Sequence, residues 1–200
     1  MELTSAVARR RMTRNFTGRP PAPGVIDGLL DAARKAPSAG FTQGVDLVVL
    51  EGPEETVRFW EATTDKAWRQ RSSRYPGLVR APVVVLIFCD PAAYVARYAE
   101  PDKVPAPGEP AVEWVVPFWF VDAAFCTMSL LLLAVDAGLG AAFLGNFRGE
   151  EPLRKALGVP ENRRWLGAVL LGEAAAPDPP SGSLRRGRRP FAEAVHRGRW

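Results

Sequence analysis

Apolar residues along the chain either recur at helical spacing or gather in short unbroken runs. At 25–36, Val25, Ile26, Leu29, Leu30 and Ala33 share one face of a 3.6-residue repeat, predicting an amphipathic helix that must stop before Pro37. A shorter helix is predicted over 4–11, capped by Thr4 and turning Val7 inward. The runs at 46–51, 82–89, 141–144 and 166–171 read as strands. The first two are apolar enough to be buried on both faces, so helices should cover both sides of the sheet. Further helices are predicted over 54–70 and 151–157. From Pro117, placed for a first turn, to Gly138 the chain is apolar nearly all round, as in a helix central to a core or a large subunit interface. Its charge-free run, 123–135, is too short to span a bilayer.

Prolines punctuate this pattern. Pro20, Pro21 and Pro23 break the chain after the first helix. Pro101, Pro105, Pro107 and Pro110 make 100–113 a long surface loop or lid. From Ala174 onward the sequence is rich in Pro, Gly, Ser and Arg, with little to bury by itself. No internal repeat is present, and 200 residues with 47% apolar content suit one domain, 1–200, with 174–200 as its tail. The expected fold class is α+β: an α-β-α sandwich on a sheet of mixed strand direction, as an intimate dimer.

Charge changes the picture more than composition does. The net charge is +4, yet residues 1–20 carry +4, residues 185–200 carry +5 and residues 21–184 carry −5. Two arginine-rich ends of this kind fit a nucleic-acid tail, solvated termini, or two arms closing on one anion. Cys89 and Cys126 lie within apolar runs without partner spacing, so neither a disulfide framework nor a zinc site is expected, and a reducing compartment is. One histidine, His196, rules out a multi-histidine metal site and a mid-chain Ser-His-Asp arrangement. The N-terminus turns arginine-rich where a signal peptide would turn apolar, so a cytoplasmic protein without membrane association is expected.

Four segments could carry chemistry. Arg9-Arg10-Arg11-Met12-Thr13-Arg14 is either a solvated helix end or a set of planar donors converging on phosphate. Ala36-Pro37-Ser38 through Gln43 is either a helix stop or a loop whose Ser38, Gln43 and backbone bond a planar heterocycle. Gly138-Leu139-Gly140 through Phe143-Leu144-Gly145 fails as a dinucleotide fingerprint, because Phe143 takes the sixth position and the segment leads from helix into strand. Its glycines suit close backbone approach to a flat ligand or a packed neighbour. The tail with Arg185, Arg186, Arg188 and Arg189 reads alone as a nucleic-acid tract, although Phe191 and Trp200 look like docking residues.

Taken in order, these segments resemble the nitroreductase family of FMN-dependent flavoproteins. The family's opening Arg-Arg-Ser-x-Arg-x-Phe is matched by Arg10-Arg11-Met12-Thr13-Arg14-Asn15-Phe16, and its Ala-Pro-Ser by Ala36-Pro37-Ser38. The glycines of 138–145, Leu157-Gly158-Val159-Pro160, Leu171-Gly172 and an Arg-Arg-Pro tail complete the order. The resemblance implies a mainly antiparallel sheet and an intertwined homodimer with FMN at the subunit interface and the tail around the partner. It implies that Arg10 and Arg11 hold the FMN phosphate, joined by Arg186 and Arg188, with Met12 where the family has serine. Arg14 would face the pyrimidine edge, Pro37, Ser38 and Gln43 would lie along the isoalloxazine, and Phe143, Leu144 and Gly145 would reach N5. Phe41 and Val45 stand where asparagine and tryptophan are usual, so the pocket should be more apolar than typical. NAD(P)H would be the reductant and a nitroaromatic, quinone or similar small molecule the acceptor. On the acceptor side, the 100–113 loop, Trp114, Phe118, Trp119 and Phe120 either shape the pocket or fill the core. The alternatives are a same-fold flavoprotein with a dehydrogenase, deazaflavin-using or non-redox task and, more distantly, an arginine-rich nucleic-acid binder.

Overall fold

A computed structural model describes residues 1–71, 75–104, 113–175, 178 and 181–200. The chain forms α1 (Leu3–Arg9), α2 (Val25–Ala33), β1 (Val45–Glu51), α3 (Gly52–Thr63), α4 (Lys66–Arg71) and β2 (Val83–Cys89). It continues through α5 (Pro91–Tyr98), α6 (Phe118–Asp136), β3 (Gly140–Gly145), α7 (Glu150–Leu157), β4 (Arg164–Gly172) and α8 (Phe191–Ala194). Most of the proline-rich loop, 105–112, lies outside the described residues.

The sheet has the order β1-β2-β4-β3. Every pairing in it is antiparallel, where mixed strand directions were expected. β2 is buried at each of its seven positions because apolar layers lie on both sides of it. On one face Val83, Val85 and Ile87 meet α2 (Ile26, Leu29, Ala33) and α6 (Ala123, Cys126, Leu130). On the other, Val84, Leu86 and Phe88 meet Phe59 and Trp60 of α3, Leu153 of α7 and Trp165. Each fully buried side chain of this kind contributes about 1.5–3 kcal/mol, so the two layers fix the α-β-α sandwich.

The differences from expectation are local. β1 is an edge strand with one fully buried residue, Leu50, so its apolar run does not mark two-sided burial. Thr4 lies inside α1 rather than capping it, Ala6 is the residue turned inward, and Val7 is exposed. α2 ends at Ala33, three residues before the proline boundary. The helix expected over 54–70 divides at Thr64, which is extended (φ −135°), into α3 and α4. α5 is legible as Asp90-Pro91: the Asp90 carboxylate caps the helix by accepting from Ala92 N–H at 3.0 Å, and proline occupies the first turn.

α6 has 19 residues and, by length and composition alone, is apolar enough to cross a membrane. It extends beyond the charge-free run because Asp122 lies within it, and one face packs on the sheet through Ala123, Leu130 and Ala134. Phe118, Phe125 and Met128 on the same helix are exposed.

Candidate functional site

After α1 the arginine segment runs extended across the open edge of the sheet. Phe16 is completely buried and bridges to Ala174, Thr13 N–H donates to Ala141 O at 2.8 Å, and Ala175 N–H donates to Asn15 O at 2.9 Å. Gly140 permits this approach, since a Cβ there would lie 2.8 Å from Thr13 Cγ2. Met12 Sδ accepts from Phe143 N–H at 3.4 Å. The outward contacts of residues 141 and 143 put the backbone groups of Gly145, two residues on, along the same unpaired edge of β3.

Arg10 is half-buried, and its Nη1 is closed from solvent with no hydrogen-bond partner among the described residues. A buried guanidinium N–H in that condition is costly, and an anion answers it with a charge-assisted bond. Arg11 is exposed beside it. Arg14 instead stacks over Tyr75 with 5.4 Å to the ring centroid and donates from Nη1 to Met12 O at 3.3 Å. Its amide donates to Asp178 Oδ2 at 2.6 Å.

A second group of residues surrounds a cleft of about 290 Å³ whose lining includes Arg34, Pro37, Ser38, Gln43, Asp46 and Asp122. The loop over it is strained, with φ of 56° at Phe41 and 55° at Gln43, a region costing about 1–2 kcal/mol per non-glycine residue. Several bonds hold it there. Asp122 on α6, 3% exposed, accepts from Ala39 N–H at 2.9 Å and from Tyr94 O–H at 2.7 Å, both on Oδ2. Burial, then the Asp122 carboxylate, pushes the Tyr94 phenol well above its usual range, so it remains a donor. Arg97 Nε donates to Gly40 O at 2.8 Å, while its Nη groups grip Asp102 and hold that carboxyl down to about 2. Ser38 Oγ accepts from Gln43 N–H at 3.0 Å, and Phe41 stands 76% exposed. Burial pushes the Cys89 thiol up to about 12 and raises Cys126, so neither supplies a thiolate. Among the described residues no group of three metal-ligating side chains gathers.

No sequence motif singles out Asp122, Tyr94 or Arg97, although a carboxylate inside a helix as apolar as α6, whose one other charge is Asp136 at its end, is a signal in itself. The loop they secure rests on Gly44, where a Cβ would lie 2.6 Å from Tyr94 Cε2. Gly44→Ala is therefore expected to lower stability by about 1–3 kcal/mol through overpacking, read as a fall in Tm.

Met12 meets the β3 edge that carries Phe143, Leu144 and Gly145, with Arg10 and Arg11 directly before it in the chain, whereas Pro37, Ser38 and Gln43 line the cleft beside β1. β1 and β3 are opposite edges of a four-stranded sheet, about 14 Å apart at about 4.8 Å per strand. Arg186 and Arg188 join neither group: residues 182–200 are exposed, and among the described residues no hydrogen bond or ion pair ties either arginine to the body of the fold. Their expected meeting with Arg10 and Arg11 does not occur within one chain.

The family model described as the nitroreductase family matches residues 7–173. A provisionally assigned NADH dehydrogenase/NAD(P)H nitroreductase of Methanothermobacter thermautotrophicus is 26% identical over 179 residues, covering 88% of this chain and 78% of that protein. An NADH dehydrogenase of Thermus thermophilus is 26% identical over 202 residues, with 92% of each chain covered. A provisionally assigned nitroreductase of Desulfovibrio desulfuricans, solved in complex with FMN, aligns with a TM-score of 0.71 at 21% identity, over 100% of this chain and 98% of that one. At that identity the likeness establishes the fold.

Proposed function

The chain belongs to the nitroreductase family, and on that premise we propose that it is an FMN-dependent oxidoreductase passing hydride from NAD(P)H to a small organic acceptor such as a nitroaromatic or quinone. The observation that carries this reading is the buried Nη1 of Arg10, unpartnered among the described residues and two residues before Met12, whose Sδ meets β3. These residues fit the cofactor: a guanidinium without an anion, in the segment whose Met12 and Thr13 take the backbone groups of residues 143 and 141 and leave those of Gly145 to a ligand. FMN, when bound, would supply the redox chemistry, hydride transfer, that no side chain here provides.

Arg10 and Arg11 hold the phosphate, and the tail's Arg186 and Arg188 close over it. Met12 gives up the family's serine hydroxyl, and its thioether is used on Phe143 N–H, which fixes the β3 backbone. Phe143, Leu144 and Gly145 of β3 would hold the redox-active part of the ring. Arg14 places fixed positive charge near the pyrimidine edge, where charge gathers on reduction. Pro37, Ser38 and Gln43 line the ring from the other side.

These groups come from both subunits of a homodimer. The separation of the two groups across the sheet supports that arrangement, as do the exposed tail and the exposed Phe118, Phe125 and Met128 of α6. The first test is optical. The purified protein is expected to be yellow, to bleach anaerobically with NADH or NADPH, and to recover colour when a quinone or nitroaromatic is added. A colourless chain that takes up no FMN sinks the reading.

A further inference from the structure

Asp122 is a buried carboxylate used on one side only. Both of its hydrogen bonds, from Ala39 N–H and Tyr94 O–H, fall on Oδ2. Oδ1 accepts none among the described residues and is not among the atoms closed from space, and the side chain lines the cleft. Buried carboxylate oxygens are as a rule hydrogen-bonded, so Oδ1 takes its donor from whatever occupies the cleft.

The surroundings define which donor. Arg34 lines the same cleft and disfavours a cationic ligand. Ser38 Oγ already accepts from Gln43 N–H, so its own proton is left to donate, and the Gln43 amide adds further donors. Asp46, the other carboxylate there, is engaged by Arg163 Nε at 2.6 Å. The cleft therefore offers one strong acceptor with donors around it, complementary to a neutral N–H next to a carbonyl.

We propose that Asp122 Oδ1 is the recognition point for such an amide-type edge, presented either by the carboxamide of the nicotinamide reductant or by the pyrimidine edge of the flavin. The proposal rests on the flavoenzyme reading for these two sources, and its chemistry rests on the cleft alone.

Asp122→Asn keeps an oxygen for Ala39 and Tyr94 while turning the cleft-facing atom into a donor. Tyr94→Phe removes one bond from Oδ2 and leaves Oδ1 intact. Binding of nicotinamide and of N,N-dimethylnicotinamide, which lacks the N–H, is followed by ligand-observed NMR, and FMN and 3-methyl-FMN are titrated into apoprotein. For one pair, methylation is expected to weaken binding to the wild type by at least about tenfold, the loss of one bond to a charged acceptor. The penalty should vanish in Asp122→Asn and persist in Tyr94→Phe. The pair that responds identifies the source. Equal affinities within both pairs in the wild type overturn the proposal. So does a penalty that survives in Asp122→Asn, or one that Tyr94→Phe abolishes equally. A wild type that binds no FMN at all defeats the flavoenzyme reading, while the nicotinamide pair still tests Asp122 on the apoprotein.

Discussion

Replacing Arg10 and Arg188 together with alanine is expected to release FMN from the protein. Each charge-assisted bond to phosphate is worth about 1.5–3 kcal/mol, so the pair accounts for about 3–6 kcal/mol, or roughly a hundred- to ten-thousand-fold in Kd. The loss should be confined to the phosphate: titrated into apoprotein, riboflavin should bind the double variant as it binds the wild type. Folding should be untouched, because Arg10 Nη1 has no partner to lose and Arg188 is exposed. Removing Arg10 deletes an unsatisfied buried donor, so the Tm of the apoprotein should hold or rise. Retention of FMN at wild-type affinity would place the phosphate elsewhere and leave both arginine clusters without the role assigned to them.

That experiment joins the two ends of a charge distribution that is legible in the amino-acid sequence itself. The arginines at 10, 11 and 14 stand out there as one cluster, and the fold adds what separates them: Arg10 is left unpaired, whereas Arg14 is taken up by Tyr75, Met12 O and Asp178. Sequence could not supply that distinction, because it depends on residues 61 and 164 positions away in the chain. The layers are legible for a simpler reason. β2 is apolar at every position, and that pattern has one stable solution, a central strand covered on both faces. β1 is apolar at 47–50 but carries Asp46 and Glu51 toward its ends, and it lies at the edge, where Val45, Val48 and Val49 need only a half-buried surface. Within the apolar run, hydrophobicity alone cannot tell those two cases apart.

The cleft is half legible. Pro37, Ser38 and Gln43 stand out as a turn before a strand, but Phe41 and Gln43 at positive φ break local backbone preference and can be explained only by what holds them. Those anchors lie on α5 and α6: Arg97 on Gly40 O and Asp122 on Ala39 N–H. The start of α5 and a carboxylate inside an apolar helix can be read from the sequence, but that Arg97 and Asp122 reach back to residues 39 and 40 depends on packing, so the loop is visible in the sequence and its anchoring is not. The same long-range packing explains why the site divides between two edges of one sheet.

Phe125→Asp should convert the proposed dimer to a folded monomer and strip it of flavin. Phe125 is 47% exposed on α6, one turn from the exposed Met128 and two turns from Phe118, so the three form an apolar stripe that the described residues leave largely exposed. An aspartate buried there at a subunit contact would be an unpaired charge costing about 3–5 kcal/mol, enough to raise the dimer dissociation constant roughly a hundredfold or more. The monomer should keep its melting cooperativity, because Phe125 lies outside both buried clusters. It would retain Arg10, Met12 and the β3 edge, yet lack the second subunit's cleft loop and tail, so FMN should wash out even with every arginine intact. Val57→Asp supplies the comparison: Val57 is an exposed apolar residue on α3, across the sheet from α6, and its replacement should leave both mass and flavin content unchanged. Sedimentation together with the flavin-to-protein ratio reads both quantities at once. A Phe125→Asp protein that stays dimeric and yellow would remove α6 from the interface. One that becomes monomeric while keeping full flavin would mean that a single chain builds the whole site, despite the two groups of residues lying on opposite edges of its sheet.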